Sequence, residues 1–456
     1  MKPEDQRWHR VVFLIILSVI FFFGIGHNGY ILEPDSYTYM ECNFGREPLY
    51  PMILLGFRKV FGAEGYLWYV WIFQILVAII SIVYCTCWFA RQFRFKKWAV
   101  YAVFLLLLLP YWFVTIWYEP YGLWTNHIMT EGLTFSLYHL FYVFVLKTLY
   151  GKKVKDYAIT CIFALCLASM RSQMLICFAI CAALGMAVII MQLKKKGVMR
   201  LMFGCMISIL ATGGLYIGIK TIYKYRITDN PGDAGTLQLA LLANLLYSSD
   251  GEDVSCYEDE GFQLLYKELY DRVDELRLNY RYTEGVLANG DRMSASHDLI
   301  KYGIINEVYY NYKAGNYSEY VGEMELDEFI KGLEKPLLQK NWWKLIKNSM
   351  CEWPKGYMRS IFTATERLYP VNGLFCVFMY LGAVVLSIWN LGRRNWKAAV
   401  PMLLVLVVIA MTIAGVALTI FTSMRYLTYN LGLFYVSYLI LGMQYRWGRK
   451  LLSIDI

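Results

Sequence analysis

The chain has 456 residues and a formal net charge of +9, and 58% of its residues are apolar while 17% are charged. Soluble domains carry about 25% charged residues, so a composition this apolar, arranged in long hydrophobic runs, excludes a soluble enzyme. The positive charges are divided among short segments between those runs and are not gathered on one face. This distribution argues against nucleic-acid binding and indicates membrane topology.

The hydrophobic runs predict membrane-spanning helices, each of which needs about 20 apolar residues. The run Asp156–Leu193 is too long for one crossing, at about 1.5 Å per residue. Because Arg171 interrupts this run, we predict two helices that meet there, the first of which is short and either spans or re-enters the membrane. The other predicted spans are Val11–Ile31, Tyr66–Phe89, Trp98–Tyr118, Ile128–Leu149, Leu201–Thr221, Val371–Leu391, Trp396–Leu418 and Tyr426–Met443.

The basic residues between the spans test this count. With ten spans, every basic cluster lies on the same side, which the positive-inside rule makes cytoplasmic. We therefore predict an all-α polytopic membrane protein with about ten transmembrane helices, both termini in the cytoplasm, and a first helix that is an uncleaved signal anchor. The clusters lie within 2–10, 91–97, 147–155, 194–200, 393–397 and 446–450.

Two longer segments then lie outside the cytoplasm, the first outer loop 32–65 and the segment 222–367. They divide the chain into an N-terminal transmembrane module (1–221), an extracytoplasmic domain (222–367) and a C-terminal transmembrane module (368–456). Between residues 222 and 340 the chain carries 22 Asp and Glu against 12 Lys and Arg, so the outer domain is acidic where the rest is basic.

The outer segment has helix and turn patterns of its own. Asn230–Asp233 and Ala288–Asp291 carry turn signals, and the aromatic, amphipathic stretch Trp342–Phe362 is typical of a segment at the membrane interface. We therefore predict a small, mainly helical extracytoplasmic domain. Its helix-like stretches are Leu237–Tyr247, Phe262–Leu278, Leu299–Tyr312 and Leu326–Leu338.

Charged residues at membrane depth are costly, and they are functional candidates for that reason. Asp35 follows Pro34 directly after the first span, so the carboxylate is held at a turn or at the start of a helix; it either caps that helix or belongs to a site. Arg46 lies in the same outer loop. Glu131 begins the fourth span, where an acid is also favoured by the helix dipole.

Arg171 and Arg425 both fall on the outer side, against the positive-inside bias. They are either snorkelling side chains or phosphate ligands, because a guanidinium group binds phosphate oxygens in bidentate fashion. His127 and the pair His297-Asp298 are interpreted as structural polar residues.

Taken in order, these motifs resemble the GT-C superfamily of polytopic glycosyltransferases. The family includes protein O-mannosyltransferases and lipid A aminoarabinose transferases, which take sugars from polyprenyl-phosphate carriers. The chain departs from the family pattern at Glu33, which stands two positions before Asp35, at Arg171-Ser172 in place of an Arg-Pro pair, and in the acidic insert. The matching elements are Pro34-Asp35-Ser36-x-x-Tyr39, Gly45-Arg46-x-Pro48-Leu49-Tyr50-Pro51, Thr130-Glu131-Gly132, Met170-Arg171-Ser172-Gln173 and Arg425-Tyr426.

The resemblance implies a hexosyl or pentosyl transferase that moves a sugar from a polyprenyl-phosphate donor to an extracytoplasmic glycan, lipid or protein, with inversion at the anomeric carbon. Asp35 would be the general base and Glu131 would orient it, the acceptor or a metal ion. No cofactor is required, although a divalent cation held by Glu33 and Asp35 stays open. A bacterial inner or plasma membrane is the expected location. The implied substrate- and phosphate-binding residues are Arg46, Arg171, Arg425 and Tyr39.

Three other functions stay open at this point. An enzyme of the O-antigen ligase or polymerase type would depend on His297 in the late outer segment instead of Asp35. A secondary transporter or flippase would also have many spans, but with charges buried in mid-helix and paired repeats. A membrane-anchored receptor or scaffold would use the acidic domain alone.

Overall fold

The computed structural model describes residues 3–43, 45–117, 122–193, 197–228, 236–316, 324–362 and 369–443. Within these ranges the chain forms helices and no β-strand, apart from one isolated bridge between Ile31 and His127. The described part of the chain is therefore all-α, as the sequence predicts.

The N-terminal half is a series of long helices connected by short loops. Two short helices, α2 and α3, lie in the first outer loop between α1 and α4. The helices are α1 (Pro3–Ile25), α2 (Pro34–Met40), α3 (Leu49–Phe61), α4 (Tyr66–Gln92), α5 (Lys97–Trp117), α6 (Glu131–Gly151), α7 (Val154–Met170), α8 (Ile176–Ile190) and α9 (Val198–Ile222).

The second half contains the helices of the outer segment and then the last long apolar helices. They are α10 (Thr236–Tyr247), α11 (Glu260–Glu275), α12 (Val286–Asp298), α13 (Asn306–Asn311), α14 (Leu326–Met350), α15 (Trp353–Ile361), α16 (Tyr369–Gly392), α17 (Trp396–Thr419), α18 (Met424–Leu427) and α19 (Leu431–Met443).

Seven helices in the described ranges are long and apolar enough to cross a membrane. This confirms a polytopic, all-α membrane protein. Each of the ten predicted spans coincides with helical structure, but α7 and α19 have only 17 and 13 residues and α5 is counted only from Lys97 to Tyr111, so the count of ten stays a prediction. The seven spans are Trp8–Ile25, Tyr66–Gln92, Glu131–Gly151, Ser172–Ile190, Val198–Ile227, Val371–Gly392 and Trp396–Thr419.

The long apolar run after residue 156 is broken where the sequence predicts. Helix α7 ends at Met170, and Arg171 has an extended backbone with φ −149° and ψ 131°. A single 3-10 turn, Ser172–Leu175, then leads into α8. The break leaves Arg171 outside both helices, so its side chain can turn toward a site between them and the rest of the bundle.

Helices α10 to α14, which we call the outer helices after their predicted location, pack around an apolar cluster of their own. It is separate from the cluster among the other helices. The four helix-like stretches predicted here are helical, although Leu299–Ile305 is a π-helix. The turn predicted at Ala288–Asp291 is wrong, because these residues lie inside α12. Gly290 has a packing role: a Cβ atom there would lie 2.6 Å from the Cys351 carbonyl oxygen. The turn predicted at Asn230–Asp233 lies outside the described residues.

The predicted interfacial stretch, Trp342–Phe362, comprises the end of α14 and all of α15. Leu345 in its first half packs into the core of the outer helices, while Trp342 and Trp343 beside it are exposed. A turn at Cys351 and Glu352 separates the two helices. Helix α15 is therefore the part that connects the outer helices to the last spans.

Candidate active site

The first outer loop turns Asp35 toward the bundle. Helix α2 starts with Pro34 in its first turn, and Glu33 is the residue that caps it. The Glu33 backbone N–H donates to Ser36 Oγ at 2.9 Å, so the start of the helix is satisfied without the Asp35 side chain. Asp35 is therefore not the residue that caps this helix.

Both carboxylate oxygens of Asp35 bind arginines that are far apart in the sequence. Arg46 Nη2 donates to Oδ1 at 2.6 Å, and Arg425 Nη1 donates to Oδ2 at 2.8 Å. Burial opposes ionisation of this group, but the two guanidinium groups outweigh it and hold the pKa of Asp35 below its usual value. Asp35 is therefore an ionised, doubly paired carboxylate.

Helix α2 also orients Arg46. Its Nε donates to Thr38 Oγ1 at 2.8 Å and its Nη1 to the Tyr39 hydroxyl at 3.4 Å. The guanidinium group lies 4.6 Å from the centre of the Tyr39 ring. Because the Thr38 hydroxyl in turn donates to the Asp35 carbonyl at 2.7 Å, the helix fixes the acid and its arginine together.

Glu131 is the first residue of α6 and its side chain is fully buried. Its Oε1 accepts from Arg425 Nε and pairs with Arg171 Nη1, and its Oε2 accepts from the Thr130 hydroxyl at 3.1 Å. Arg171 also lies over the ring of Tyr426, 5.1 Å from its centre. Glu131 thus reaches Asp35 only through Arg425.

These contacts form one continuous series, which we call the ion-pair chain: Arg46–Asp35–Arg425–Glu131–Arg171. Three guanidinium groups meet two carboxylates within the ion-pair chain, and Glu33 interacts electrostatically with Arg425, Asp35 and Glu131. A partly buried site with spare guanidinium donors is suited to an anion such as phosphate. The structure brings all five of the predicted charged residues together, with Tyr39 stacked on one end.

Glu33 makes a separate contact. Its Oε1 lies 3.0 Å from Nδ1 of His127, which is almost completely buried. Among the described residues no group of three or more His, Cys, Asp or Glu side chains is placed to hold a metal ion. A cation shared by Glu33 and Asp35 stays a prediction.

One buried amide next to the site was missed in the sequence. Gln74 Oε1 accepts from the Tyr50 hydroxyl at 2.8 Å, and its Nε2 donates to the carbonyl oxygens of Thr125 and His127 at 2.9 and 3.1 Å. This amide fixes the loop that leads into Glu131. A lone Gln in the middle of an apolar span was the available signal, because buried amides must find partners.

The segment that carries Arg425 is held by the outer helices. We call residues 418–423 the anchor segment. Asn244 Nδ2 donates to the carbonyl oxygens of Leu418 and Ile420 at 3.1 and 3.0 Å. The fully buried Glu352 accepts the Thr422 N–H at 2.9 Å, and also the Thr422 hydroxyl. The outer helices thereby set the position of the arginine that joins Asp35 to Glu131.

His297 contacts the anchor segment and is not part of the ion-pair chain. Its Nδ1 lies 2.8 Å from Asn244 Oδ1 and its ring packs against Phe421. Burial and the nearby Lys301 lower the pKa of His297 to about 3. The catalytic role that the ligase alternative assigns to His297 stays a prediction.

Three further outer residues face the ion-pair chain. Asp298, Lys301 and Tyr302 interact electrostatically with Asp35, and Lys301 and Tyr302 also with Arg46. Burial lowers the pKa of Lys301 to about 8. Lys301 and Tyr302 were not singled out in the sequence, because nothing there indicates that the π-helix lies near Asp35 and Arg46.

No family model, curated protein or solved structure matches this chain.

Proposed function

We propose that this protein is a membrane glycosyltransferase that moves a sugar from a polyprenyl-phosphate carrier to an acceptor hydroxyl outside the cytoplasm. The observation that carries the proposal is the ion-pair chain. Residues from the loop between α1 and α4, the start of α6, the break after α7 and helix α18 meet there, and the three arginines of the ion-pair chain outnumber its two acids. That arrangement suits a reaction whose leaving group is a phosphate.

The leaving group defines what the arginines have to do. A lipid phosphate leaves as a stable anion, so it needs charge stabilisation and no general acid. Arg171, Arg425 and Arg46 can supply that stabilisation where water is excluded and electrostatic interactions are strong. Arg171 and Arg425 are only 10% and 22% exposed, so their charges act in such a medium.

Asp35 is proposed as the general base. It accepts the proton of the acceptor hydroxyl, the hydroxyl oxygen bonds to the anomeric carbon, and the bond from that carbon to the phosphate oxygen breaks. Because one carboxylate acts without forming a covalent intermediate, the anomeric configuration inverts. General-base catalysis of this kind contributes about 10²–10⁴-fold.

The pairing of Asp35 suggests an order of binding. A carboxylate held by Arg46 and Arg425 is a weak base, since its pKa is low. A donor phosphate that binds these guanidinium groups competes with Asp35 for them and releases a carboxylate oxygen. The pKa of Asp35 then rises toward its usual value, so donor binding prepares the base for the acceptor.

The setting follows from the same proposal. In the predicted topology, with ten spans and both termini in the cytoplasm, the ion-pair chain would lie on the outer side, where a flipped lipid carrier presents its sugar. The partners are the bilayer, the lipid-linked donor and a glycan, lipid or protein acceptor. A bacterial inner or plasma membrane is the proposed location.

Lipid-linked sugar analysis in cells tests the proposal. Asp35→Asn keeps the shape of the side chain and removes the base, so transfer should fall by about 10²–10⁴-fold while the glycosylated polyprenyl phosphate accumulates. The matched control is Asp274→Asn, which breaks a surface ion pair with Arg281 and should leave transfer unchanged. Membrane insertion of both variants is checked by fractionation.

A comparison with Asp35→Ala separates a base from a structural acid. A structural Asp35 would tolerate Asn, which keeps one oxygen for the arginines, and would lose stability with Ala. An Asp35→Asn protein with normal transfer would therefore remove the general base from the proposal.

A further inference from the structure

A cavity of about 420 Å³ lies beside the segment that leads into Arg425. Its volume is within the range of small-ligand sites, about 300–1,000 Å³. Helix α12, helix α15 and the segment before α18 form its walls. The lining residues are Asp291, Ser294, Ala295, Lys355, Arg359, Phe421, Ser423 and Met424.

The cavity has the chemistry of an anion site. Lys355 contributes an ammonium group whose side chain is only 9% exposed, and it pairs with Asp291, which is 62% exposed. Arg359 donates to the Thr422 carbonyl through Nη1, and its other donors bind no further residue that the structure describes. Lys355 is therefore neutralised by an exposed acid that a ligand can replace, and Arg359 keeps charged donors for a ligand.

The remaining lining residues suit a sugar. Ser294 and Ser423 contribute hydroxyl groups, and Phe421 contributes an aromatic wall against which the apolar face of a sugar ring can pack. Ser294 is also fixed, because its hydroxyl donates to the buried Glu352 at 2.8 Å. A few convergent polar groups beside an aromatic wall are typical of a specific ligand pocket.

The position of the cavity identifies which substrate it would take. Ser423 and Met424 line it, and the next residue is Arg425, about 3.8 Å further along the Cα trace. The Arg425 side chain points the other way, to Asp35 and Glu131, where the donor phosphate is proposed. Because α12 belongs to the outer helices, the cavity lies on the side from which an extracytoplasmic acceptor arrives.

We propose that this cavity binds the negatively charged group, a carboxylate or a phosphate, of an anionic acceptor. The assignment to an acceptor rests on the proposed glycosyltransferase function, whereas the binding of an anion does not. The incoming group replaces the exposed Asp291 carboxylate on Lys355 and takes up the spare donors of Arg359. An acceptor bound in the cavity would then lie beside Met424, which is next to Arg425 in the sequence.

Cysteine labelling measures the charge of the cavity without any need for turnover. Ala295→Cys is introduced into the full chain, with Cys42, Cys256 and Cys351 changed to Ser, and treated with anionic and cationic methanethiosulfonate reagents. Ala295 is exposed in the cavity wall, so the new thiol should react about tenfold faster with the anionic reagent, because a cleft of one charge concentrates the opposite charge. Leu287→Cys, exposed on the same helix, is the matched control and should show no such preference.

Variants of the charged groups make the test specific. Lys355→Met and Arg359→Met should each reduce the preference for the anionic reagent, and Asp291→Asn should increase it. Millimolar glucuronate or inorganic phosphate should slow labelling at Ala295→Cys, and glucose should not. If Lys355→Met fails to fold, Arg359→Met and Asp291→Asn still give opposite predictions.

Three results would overturn the proposal. The same ratio of anionic to cationic labelling rates at Ala295→Cys and Leu287→Cys, or a preference that the three charge variants do not move, would show that the cavity is not an anion site. Protection by farnesyl phosphate but not by glucuronate or inorganic phosphate would assign the cavity to the lipid donor. None of these results depends on Asp35, so each is distinguishable from failure of the proposed reaction.

Discussion

Among the residues that the structure describes, two glutamates are completely buried, and their hydrogen-bonding needs are met in different ways. Glu131, in the ion-pair chain, is paired with the guanidinium groups of Arg171 and Arg425. Glu352, beside the anchor segment, accepts hydrogen bonds from the hydroxyl of Ser294 and from the N–H and hydroxyl of Thr422. One acid is held by charges, and the other by neutral donors.

The difference distinguishes the candidate site, which contains Glu131, from the contacts at Glu352 that hold the anchor segment in place. Neutral donors are sufficient to hold a segment in place, and each contributes about 1 kcal/mol. Two arginines around one buried acid are costly to desolvate and add little net stability compared with apolar packing. A structural contact at Glu131 alone does not account for them, whereas the charged substrate of the proposed reaction would.

The largest expected effect comes from neutralising the two glutamates in turn. Glu131→Gln leaves Arg171 and Arg425 without their buried counter-charge, and breaking a buried ion pair in this way costs about 3–5 kcal/mol. Glu352→Gln keeps an oxygen acceptor for Thr422 and should cost about 1 kcal/mol. Thermal unfolding of the purified proteins in detergent measures both changes.

Transfer activity gives a second measurement of the difference between Glu131 and Glu352. Glu131→Gln should abolish transfer even at temperatures where the protein remains folded, whereas Glu352→Gln should retain most of it. Equal loss of stability in the two variants would mean that the two acids are held in the same way after all.

The arginines give the next largest effect. Arg171→Ala and Arg425→Ala each remove a charge-assisted phosphate contact, worth about 1.5–3 kcal/mol, so donor use should fall about 10- to 150-fold. Each single variant leaves Glu131 one guanidinium partner, so the protein should still fold. Arg→Lys should restore only part of the activity, because the planar fork is lost.

Kinetics with the lipid donor measure this prediction, and Arg281→Ala in the outer helices is a suitable control, since its ion pair with Asp274 is exposed. Normal donor use in both Arg171→Ala and Arg425→Ala would leave these residues as membrane anchors and would remove the phosphate site from the proposal.

Some of this structure could be predicted from the sequence because it depends on the local hydrophobic pattern and on the free-energy cost of charges at membrane depth. A run too long for one crossing and broken by Arg171 predicts two helices, and they are present. Charges at membrane depth are rare, so Asp35, Glu131 and Arg425 could be singled out one by one. That they share hydrogen bonds could not be predicted, because Asp35 and Arg425 are 390 positions apart.

The support around the site is less visible in a sequence. Asn244 and Glu352 are ordinary polar residues in an acidic, helical segment, and only the folded chain brings them to the backbone of the anchor segment. Gly290 gave a misleading turn signal, because its small size serves a close contact with another helix. Long-range packing decides both cases, and local propensity does not record it.

The smallest expected effect tests whether the anchor segment is structural. His297 has a pKa lowered to about 3, first by burial and then by Lys301, against an ordinary value of about 6.5. Between these values the unfolded chain binds a proton that the folded chain does not, so stability falls as the pH decreases through this window. The loss from His297 alone should be about 1 kcal/mol between pH 7 and pH 5.5.

His297→Gln keeps a donor for Asn244 and cannot titrate, so its unfolding temperature should fall less over the same interval, while its transfer activity at pH 7 stays near that of the parent protein. Identical pH dependence in the two proteins would mean that His297 is protonated in the folded state. Loss of transfer in His297→Gln at pH 7, with unchanged stability, would instead give this histidine the catalytic role that the ligase alternative assigns to it.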